Sequence, residues 1–325
     1  MYEQLLNLDP IRLNFSAGRM QAINFVLALV MFGVALGIKP REFKNVFIHP
    51  KSAILGLICQ LVLLPAMTFL LILTFNNHIT PMLAMGMILV AACPGGNISN
   101  FMSSLSKANT ELSITLTAIT TSTATFMTPF NFAFWGGLYT RYLSNKAGDV
   151  LQPLHIDLWQ TFETVFILLG IPLLLGMLFV RFFPVTAEKM KKPMQYFSLA
   201  FFMLMVVLAF SNNFDIFIKY IFYIFFIVFI HNAMALGIGY GTGTLFRIPR
   251  KDRRTITIET GIQNSGLGLV LLFNTKIFPA DLAYGGMLFI TAWWGIWHII
   301  SGLGVSFAFK WSDTLRSRKA VVPQP

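Results

Sequence analysis

One carboxylate among oxygen-bearing side chains, deep in an apolar chain, is the arrangement here that could do chemistry. Residues 258–266 read IETGIQNSG, and Glu259 is the one acidic residue placed far inside an apolar stretch; Glu163 sits near an outer end, within reach of water. A carboxylate at the centre of a bilayer costs about 2.5–3.5 kcal/mol on insertion scales. It needs a cation, a proton or a basic partner, and no Lys or Arg is expected at its depth. A bound cation or protonation remains.

The other polar residues of apolar stretches offer oxygen rather than nitrogen or sulfur. Ser99 and Asn100 close a second interruption, CPGGNISN at 93–100. Ser113 and Thr117 are four apart and share a helix face. Gln60 lies five residues before Pro65, and Gln263 one helical turn after Glu259. Hydroxyl, amide and carbonyl oxygens around one carboxylate suit a hard monovalent cation. Without a thiolate or histidine cluster a transition metal is not expected, and one acid is too few for a calcium cage. Each residue also has a plain structural alternative. Ser113 and Thr117 can bond their own backbone, Gln60 can pair with a neighbouring helix, and Glu259 can sit protonated.

Pro94 with Gly95 and Gly96, and Gly261 with Gly266, break helices at these two places. Broken helices expose free N-termini, whose unpaired N–H groups attract anions. One half-helix would start near Asn97–Ser99 and another near Asn264–Ser265, holding an anionic group between them. Asn97 and Asn264 are candidate substrate contacts, with Ser265 beside them; capping of their own half-helices is the equal alternative. His298, in WWGIWHIISG, reads first as a packed, hydrogen-bonded side chain and second as a substrate contact.

The elements that must position these groups follow from composition. The chain has 325 residues, 56% hydrophobic and only 11% charged, against about 25% charged in soluble domains. That describes an all-α polytopic membrane protein. The net charge of +11 would suggest nucleic acid in a soluble protein. Here the basic residues fall between apolar runs, so orientation in the lipid bilayer explains them and no nucleic acid is expected. Cys59 and Cys93 lie inside apolar stretches and suggest neither disulfide nor metal site. The opening MYEQLLNLDPIRLNF lacks a basic segment before an apolar core and reads as an interfacial lead-in, not a cleavable signal.

Nine spans of adequate length are expected, near 20–38, 52–75, 82–105, 112–139, 159–182, 194–212, 217–246, 256–276 and 282–309. A basic segment follows every odd span: Lys39, Arg41, Lys44 and Lys51; Lys107; Arg181, Lys189, Lys191 and Lys192; Arg247, Arg250, Lys251, Arg253 and Arg254; Lys310, Arg316, Arg318 and Lys319. The other connections are neutral or balanced, as Asp215 with Lys219 and Lys276 with Asp281. The positive-inside rule then places the N-terminus outside and the C-terminus in the cytoplasm of a cell-membrane protein. The breaks fall in the third and eighth spans, each followed by one closing span. Spans one to four match six to nine with opposite orientation, an inverted repeat of the kind that marks transporter sites. No residue-level similarity between the halves accompanies it.

CPGGNISN followed by ELSITLT, then IETGIQNSG and WHIISG, with CQLVLLP at 59–65, resembles the bile acid:sodium symporter family over most of the chain. The resemblance implies a core of crossing broken helices, about 52–139 and 217–309, beside a panel, about 20–38 and 159–212. It implies transport of an organic anion with sodium ions at two sites. One would use Ser99, Asn100, Ser113, Thr117 and Glu259. The other would use Gln60, Glu259, Gln263 and backbone oxygens near Thr260 and Ile262. Asn264 would lie at the crossing that faces the substrate. The chain is expected to work as a monomer, not as an enzyme. It resembles the nine-span members in lacking an extra leading helix, and it carries Asn97 where relatives commonly have a small hydroxyl residue. The anion could be bile acid-like, or a small acid such as pantoate or a keto acid. A proton-coupled transporter with Glu259 as proton carrier is the alternative. An intramembrane enzyme is disfavoured, since no Ser/His, Asp/Asp or His-metal arrangement lies at one depth.

Overall fold

A computed structural model describes residues 2–10, 17–38, 44, 46, 50–147, 163, 166–211, 214–274, 277–278 and 283–321. Lys39, Arg41, Lys276 and Asp281, and residues 159–162 of the expected fifth span, lie outside them. The regular elements among the described residues are all helices, with no strand among them. Three helices are long and apolar enough to cross a membrane on their own, Pro50–Thr74, Ile218–Leu245 and Gly285–Arg316, and Pro81–Ala92 and Ile171–Phe182 are shorter apolar helices.

In chain order the elements are α1 (Ala17–Ala35), α2 (Pro50–Thr74), α3 (Pro81–Ala92), α4 (Ile98–Leu105), α5 (Thr110–Ala147), α6 (Ile171–Phe182), α7 (Pro184–Ser211), α8 (Phe214–Leu245), α9 (Arg250–Gly261), α10 (Ser265–Leu272) and α11 (Gly285–Val321). The third and eighth spans are each two half-helices, α3 with α4 and α9 with α10. Three of the half-helices, α3, α9 and α10, are the most enclosed elements. Every residue from Leu83 to Ala92 is buried, as is every residue from Thr255 to Gly261. The outward faces of α6 and α8 carry Leu174, Leu175 and Leu178, and Phe222, Phe226 and Phe229, all exposed. Such faces belong against lipid in a multi-pass membrane protein. Helix α1 packs on α6 and α7, while α3 packs on α11 and α9 on α8. At Gly239 a side-chain carbon would sit 2.6 Å from the Ile256 carbonyl oxygen, so α8 and α9 touch backbone to backbone.

Two boundaries differ from the sequence expectation. The connection between α6 and α7 is Phe183 alone, so Lys189, Lys191 and Lys192 lie within helix α7, not in a loop. Helix α9 begins at Arg250, six residues before the expected 256, and takes part of the basic cluster into the fold.

Helix α2 contains a feature that periodicity does not reveal. Cys59–Leu63 form a π-helical turn immediately before Pro65. Proline has no N–H for the carbonyl four residues back, which is that of Leu61. The side chain of Asn131 on α5 supplies the missing donor, Nδ2 to Leu61 O at 3.1 Å. The π-turn displaces Gln60 from regular helical register, and Gln60 is 1% exposed.

The lead-in docks on the end of the bundle where α3 begins. Leu5 and Leu8 are fully buried. Asp9 Oδ1 accepts a hydrogen bond from Thr80 Oγ1 at 2.8 Å, and Oδ2 accepts from Met82 N at 3.4 Å, at the N-terminus of α3. Burial pushes the Asp9 carboxyl up to about 6.

Candidate functional site

The two breaks meet. Gly95 and Gln263 form an isolated antiparallel β-bridge. Gly96 N donates to Ile262 O at 2.9 Å, and Asn264 N donates to Pro94 O at 2.8 Å. Neither unwound segment can leave these groups unpaired inside a membrane. Each therefore supplies what the other lacks, and the half-helices cross with their ends paired. The second break is tighter than the quoted stretch suggests. Only Ile262–Asn264 are non-helical, so Glu259 stands in the last turn of α9.

The Glu259 carboxylate faces three hydroxyls from two other helices. Oε1 accepts from Ser99 Oγ on α4 at 2.5 Å, from Ser113 Oγ on α5 and from Thr117 Oγ1 at 3.2 Å. Oε2 accepts from Thr117 Oγ1 at 3.1 Å. Thr117 Oγ1 also lies 3.4 Å from Asn100 Oδ1, which makes Asn100 a neighbour of the carboxylate through Thr117. Glu259 is 1% exposed, and no Lys or Arg pairs with it among the described residues. Four oxygen-bearing side chains thus surround one uncompensated acid.

A second cluster lies on the backbone side of the same residue. Gln60 Nε2 points at Glu259 O, 3.4 Å away, and at Gln263 Oε1, 3.5 Å away. Gln263 Nε2 donates to Thr260 O at 2.9 Å. Thr260 uses its hydroxyl on Ile256 O, leaving only its carbonyl turned to this cluster. The Ile262 carbonyl accepts from Gly96 N and keeps one lone pair. Gln60 Oε1 is buried with no donor in reach. A buried acceptor lacking a donor is what a bound cation would satisfy. Gly95 fits between the clusters. A side-chain carbon there would lie 2.7 Å from Gln60 Nε2 and 2.9 Å from Glu259 Oε2.

The expected substrate contacts divide. Asn97 is exposed at the start of α4, and its side chain caps nothing. Asn264 is an N-cap, with its Oδ1 accepting from Leu267 N at 3.0 Å. Ser265 Oγ is buried without a partner. Asn97 and Asn264 flank the bridge between the breaks, whereas no contact ties His298 to them. His298 lies one turn beyond Trp294 on α11, buried, with Nδ1 unpartnered.

Three contributors are absent from the sequence reading. Asn232 on α8 donates Nδ2 to Gly261 O at 2.7 Å and so satisfies a carbonyl freed by the break. His231 beside it bonds Thr68 Oγ1 at 2.8 Å and lies against the Trp294 ring at a tilt of 59°. Adjacent His and Asn within the Phe- and Ile-rich run of α8 were the available signal. The third is Arg254. Taken from the sequence as part of a basic loop, it lies inside α9 with its side chain 4% exposed, tolerable there because it forms a bidentate pair with Asp313. Among the described residues no three His, Cys, Asp or Glu side chains gather as a metal-binding group.

Residues 24–220 match the model of the sodium bile acid symporter family. The matched segment includes the first break and ends before the second. The chain is 28% identical over 298 residues to the uncharacterized sodium-dependent transporter YocS of Bacillus subtilis, covering 92% of this chain and 85% of that one. It is 29% identical over 252 residues to the sodium/bile acid cotransporter 4 of Mus musculus, covering 77% of this chain and 55% of that one. It is 28% identical over 241 residues to the P3 protein of Bos taurus, covering 74% and 48%. The chain therefore spans most of the bacterial relative and about half the length of the two animal ones.

Proposed function

The chain belongs to the sodium bile acid symporter family, and from that premise we propose that it imports a monovalent amphipathic organic anion together with two sodium ions. The observation that carries this reading is the Glu259 carboxylate, buried, without a basic partner, and contacted by Ser99, Ser113 and Thr117. Hydroxyls can turn their hydrogens aside and offer lone pairs instead. Ser99, Ser113, Thr117 and the Asn100 amide oxygen then hold one sodium ion against the carboxylate. Gln60 Oε1, Gln263 and the carbonyls of Glu259, Thr260 and Ile262 hold the second. Sodium is cargo here, and it supplies the positive charge that the carboxylate lacks.

The anion would meet the N-terminal ends of α4 and α10, with Asn97 free to turn to it and Asn264 fixing the end of α10. A bile acid, or a small acid such as pantoate or a keto acid, would be drawn there by the partial positive charge at the N-termini of the two half-helices. Two sodium ions with one monovalent anion carry net positive charge inward. A negative-inside potential then contributes about 2.3 kcal/mol per charge per 100 mV. Alternating access follows from rocking the unit that holds both breaks (about 52–139 and 217–309) against α1, α6 and α7, with the N-terminus outside.

The test is Glu259→Ala in purified protein and in vesicles. Sodium-dependent thermal stabilisation and sodium-driven uptake should both disappear. Normal sodium-driven uptake by the variant would overturn the ion site. Uptake that persists without sodium but collapses with the pH gradient would make Glu259 a proton carrier instead.

A further inference from the structure

Helices α2, α4, α5 and α9 carry every side chain proposed above to hold an ion except Gln263, which stands in the break directly after α9. Their cytoplasmic ends are joined by two residues on a single turn of α9. Asp252 accepts from Ser52 Oγ at the start of α2 (2.6 Å) and from Asn109 Nδ2 at the start of α5 (2.9 Å). Asn109 in turn caps α5 by accepting from Leu112 N, and its carbonyl accepts from Thr255 Oγ1 at 2.8 Å. Arg254 donates Nη1 to Ser106 O, at the C-terminal end of α4, at 2.9 Å. The same guanidinium forms a bidentate pair with Asp313 and reaches Phe309 O, both on α11. Asp252 and Arg254 are each 3% exposed. Neither touches Glu259, from which they stand five and seven residues along the helix, about 7–11 Å.

We propose that Asp252 and the Arg254–Asp313 pair are positioning residues for sodium, fixing from the cytoplasmic side the spacing of the four helices whose oxygens hold the ions. This rests on the sodium reading of the Glu259 site. The half-helix bearing Glu259 is held at its far end by the bridge between the breaks, which pairs α9 with the α3–α4 segment. That bridge does not fix the tilt of α4 and α5 about the crossing. The Asp252 and Arg254 contacts do, because they grip Asn109 and Ser106, the last and first residues of the four-residue loop that joins α4 to α5. A small rotation of either helix would move Ser99 or Ser113 away from the carboxylate. Outer contacts of this kind hold metal ligands in place, and losing one typically weakens binding roughly 10–100-fold.

The experiment is sodium binding by the full-length protein in detergent. Radioactive sodium and thermal shift are read against sodium concentration, with potassium as the control salt. The variants are Asp252→Asn, Asp313→Asn, Arg254→Lys, Arg250→Gln and Glu259→Ala. Asp252→Asn and Asp313→Asn should raise the half-saturating sodium concentration about tenfold; the melting temperature also falls in potassium, because Asp313→Asn leaves Arg254 buried without its carboxylate, and the half-saturation read from bound radioactive sodium separates the two effects. Arg254→Lys keeps the charge, loses the bidentate geometry, and should show the same rise; it serves wherever a neutral variant fails to fold. Arg250 shares Asp313 Oδ1 with Arg254, at 2.8 Å; Arg250→Gln leaves the Arg254–Asp313 pair in place and should leave sodium binding unchanged. Wild-type half-saturation in the Asp252, Asp313 and Arg254 variants would overturn the proposal, as would equal losses of melting temperature in both salts with unchanged half-saturation. Sodium binding that survives Glu259→Ala would instead overturn the sodium reading beneath it.

Discussion

Ser99 and Ser113, on two different helices, both donate to the same oxygen of Glu259. The carboxylate is thereby the point where α4, α5 and α9 are joined, and its charge is met by neutral hydroxyls alone. There is little free space beside the other oxygen, Oε2.

Gly95 marks the limit of that space. Gly95→Ala would place its methyl 2.7 Å from Gln60 Nε2 and 2.9 Å from Glu259 Oε2. Overpacking of this order costs about 1–3 kcal/mol. The variant should melt lower and lose sodium-dependent stabilisation. Gly137→Ala, where nothing lies within 4 Å, should keep both. A Gly95→Ala protein with wild-type sodium response would show that the gap between Gln60 and Glu259 is not used.

Asn97 and Asn264 should separate. Asn264→Ala removes a cap and should lower stability by about 0.5–2 kcal/mol. Asn97→Ala removes no bond and should stay within about 0.5 kcal/mol of wild type. A thermal-shift screen of small carboxylates and bile acids, with and without sodium, identifies the anion to use. For that anion Asn97→Ala should weaken binding more than it weakens sodium binding. The reverse order would remove Asn97 from the substrate contacts.

The Pro65–Asn131 relation permits a double-mutant cycle. Asn131→Leu strands the Leu61 carbonyl, at a cost of about 1–3 kcal/mol. In a Pro65→Ala background the helix regains its own N–H donor for that carbonyl, and the same Asn131 change should cost much less. Strictly additive losses would mean that Asn131 does not stand in for the missing proline N–H.

Asp9 gives a pH dependence with a definite sign. Its carboxyl lies near 6 in the folded chain against an ordinary value of 3.8, because burial disfavours the charge. The folded chain then binds this proton more tightly than the unfolded chain, so stability from this residue grows as pH falls from about 6 toward 4. Relative to Asp9→Asn, the wild-type melting temperature should rise between pH 7.5 and pH 5. A constant difference across that range would mean that the carboxyl keeps its ordinary value.

The polar residues of apolar stretches were legible in the sequence because each is costly unless partnered. Ser99, Ser113, Thr117 and Glu259 come from three separate segments, and the fold brings them to one carboxylate. The breaks were legible from Pro94, Gly95, Gly96 and Gly261, since backbone constraint is local. What was hidden depends on distant partners. Arg254 looks like loop charge until Asp313, 59 residues on, is seen beside it. Asn131 has no apparent task until Pro65 leaves a carbonyl open. The π-turn at Gln60 lies just ahead of that same proline and has no periodic signature of its own. The domain division into about 52–139 with 217–309, and 20–38 with 159–212, was inferred from a family resemblance. Among the described residues, α1 packing on α6 and α7 is the contact that bears on it.

The bridge between the two breaks also bears on how such a chain is made. Pro94 and Gly96 emerge from the ribosome long before Ile262 and Asn264. Until the later segment is in the bilayer, the Gly96 N–H and the Pro94 carbonyl have no partner there, and Gln60 and Ser99 stand without Glu259. A truncated or stalled chain holding only the first half therefore carries an open wound in its backbone at membrane depth, a feature by which quality-control machinery could tell an unfinished transporter from a finished one.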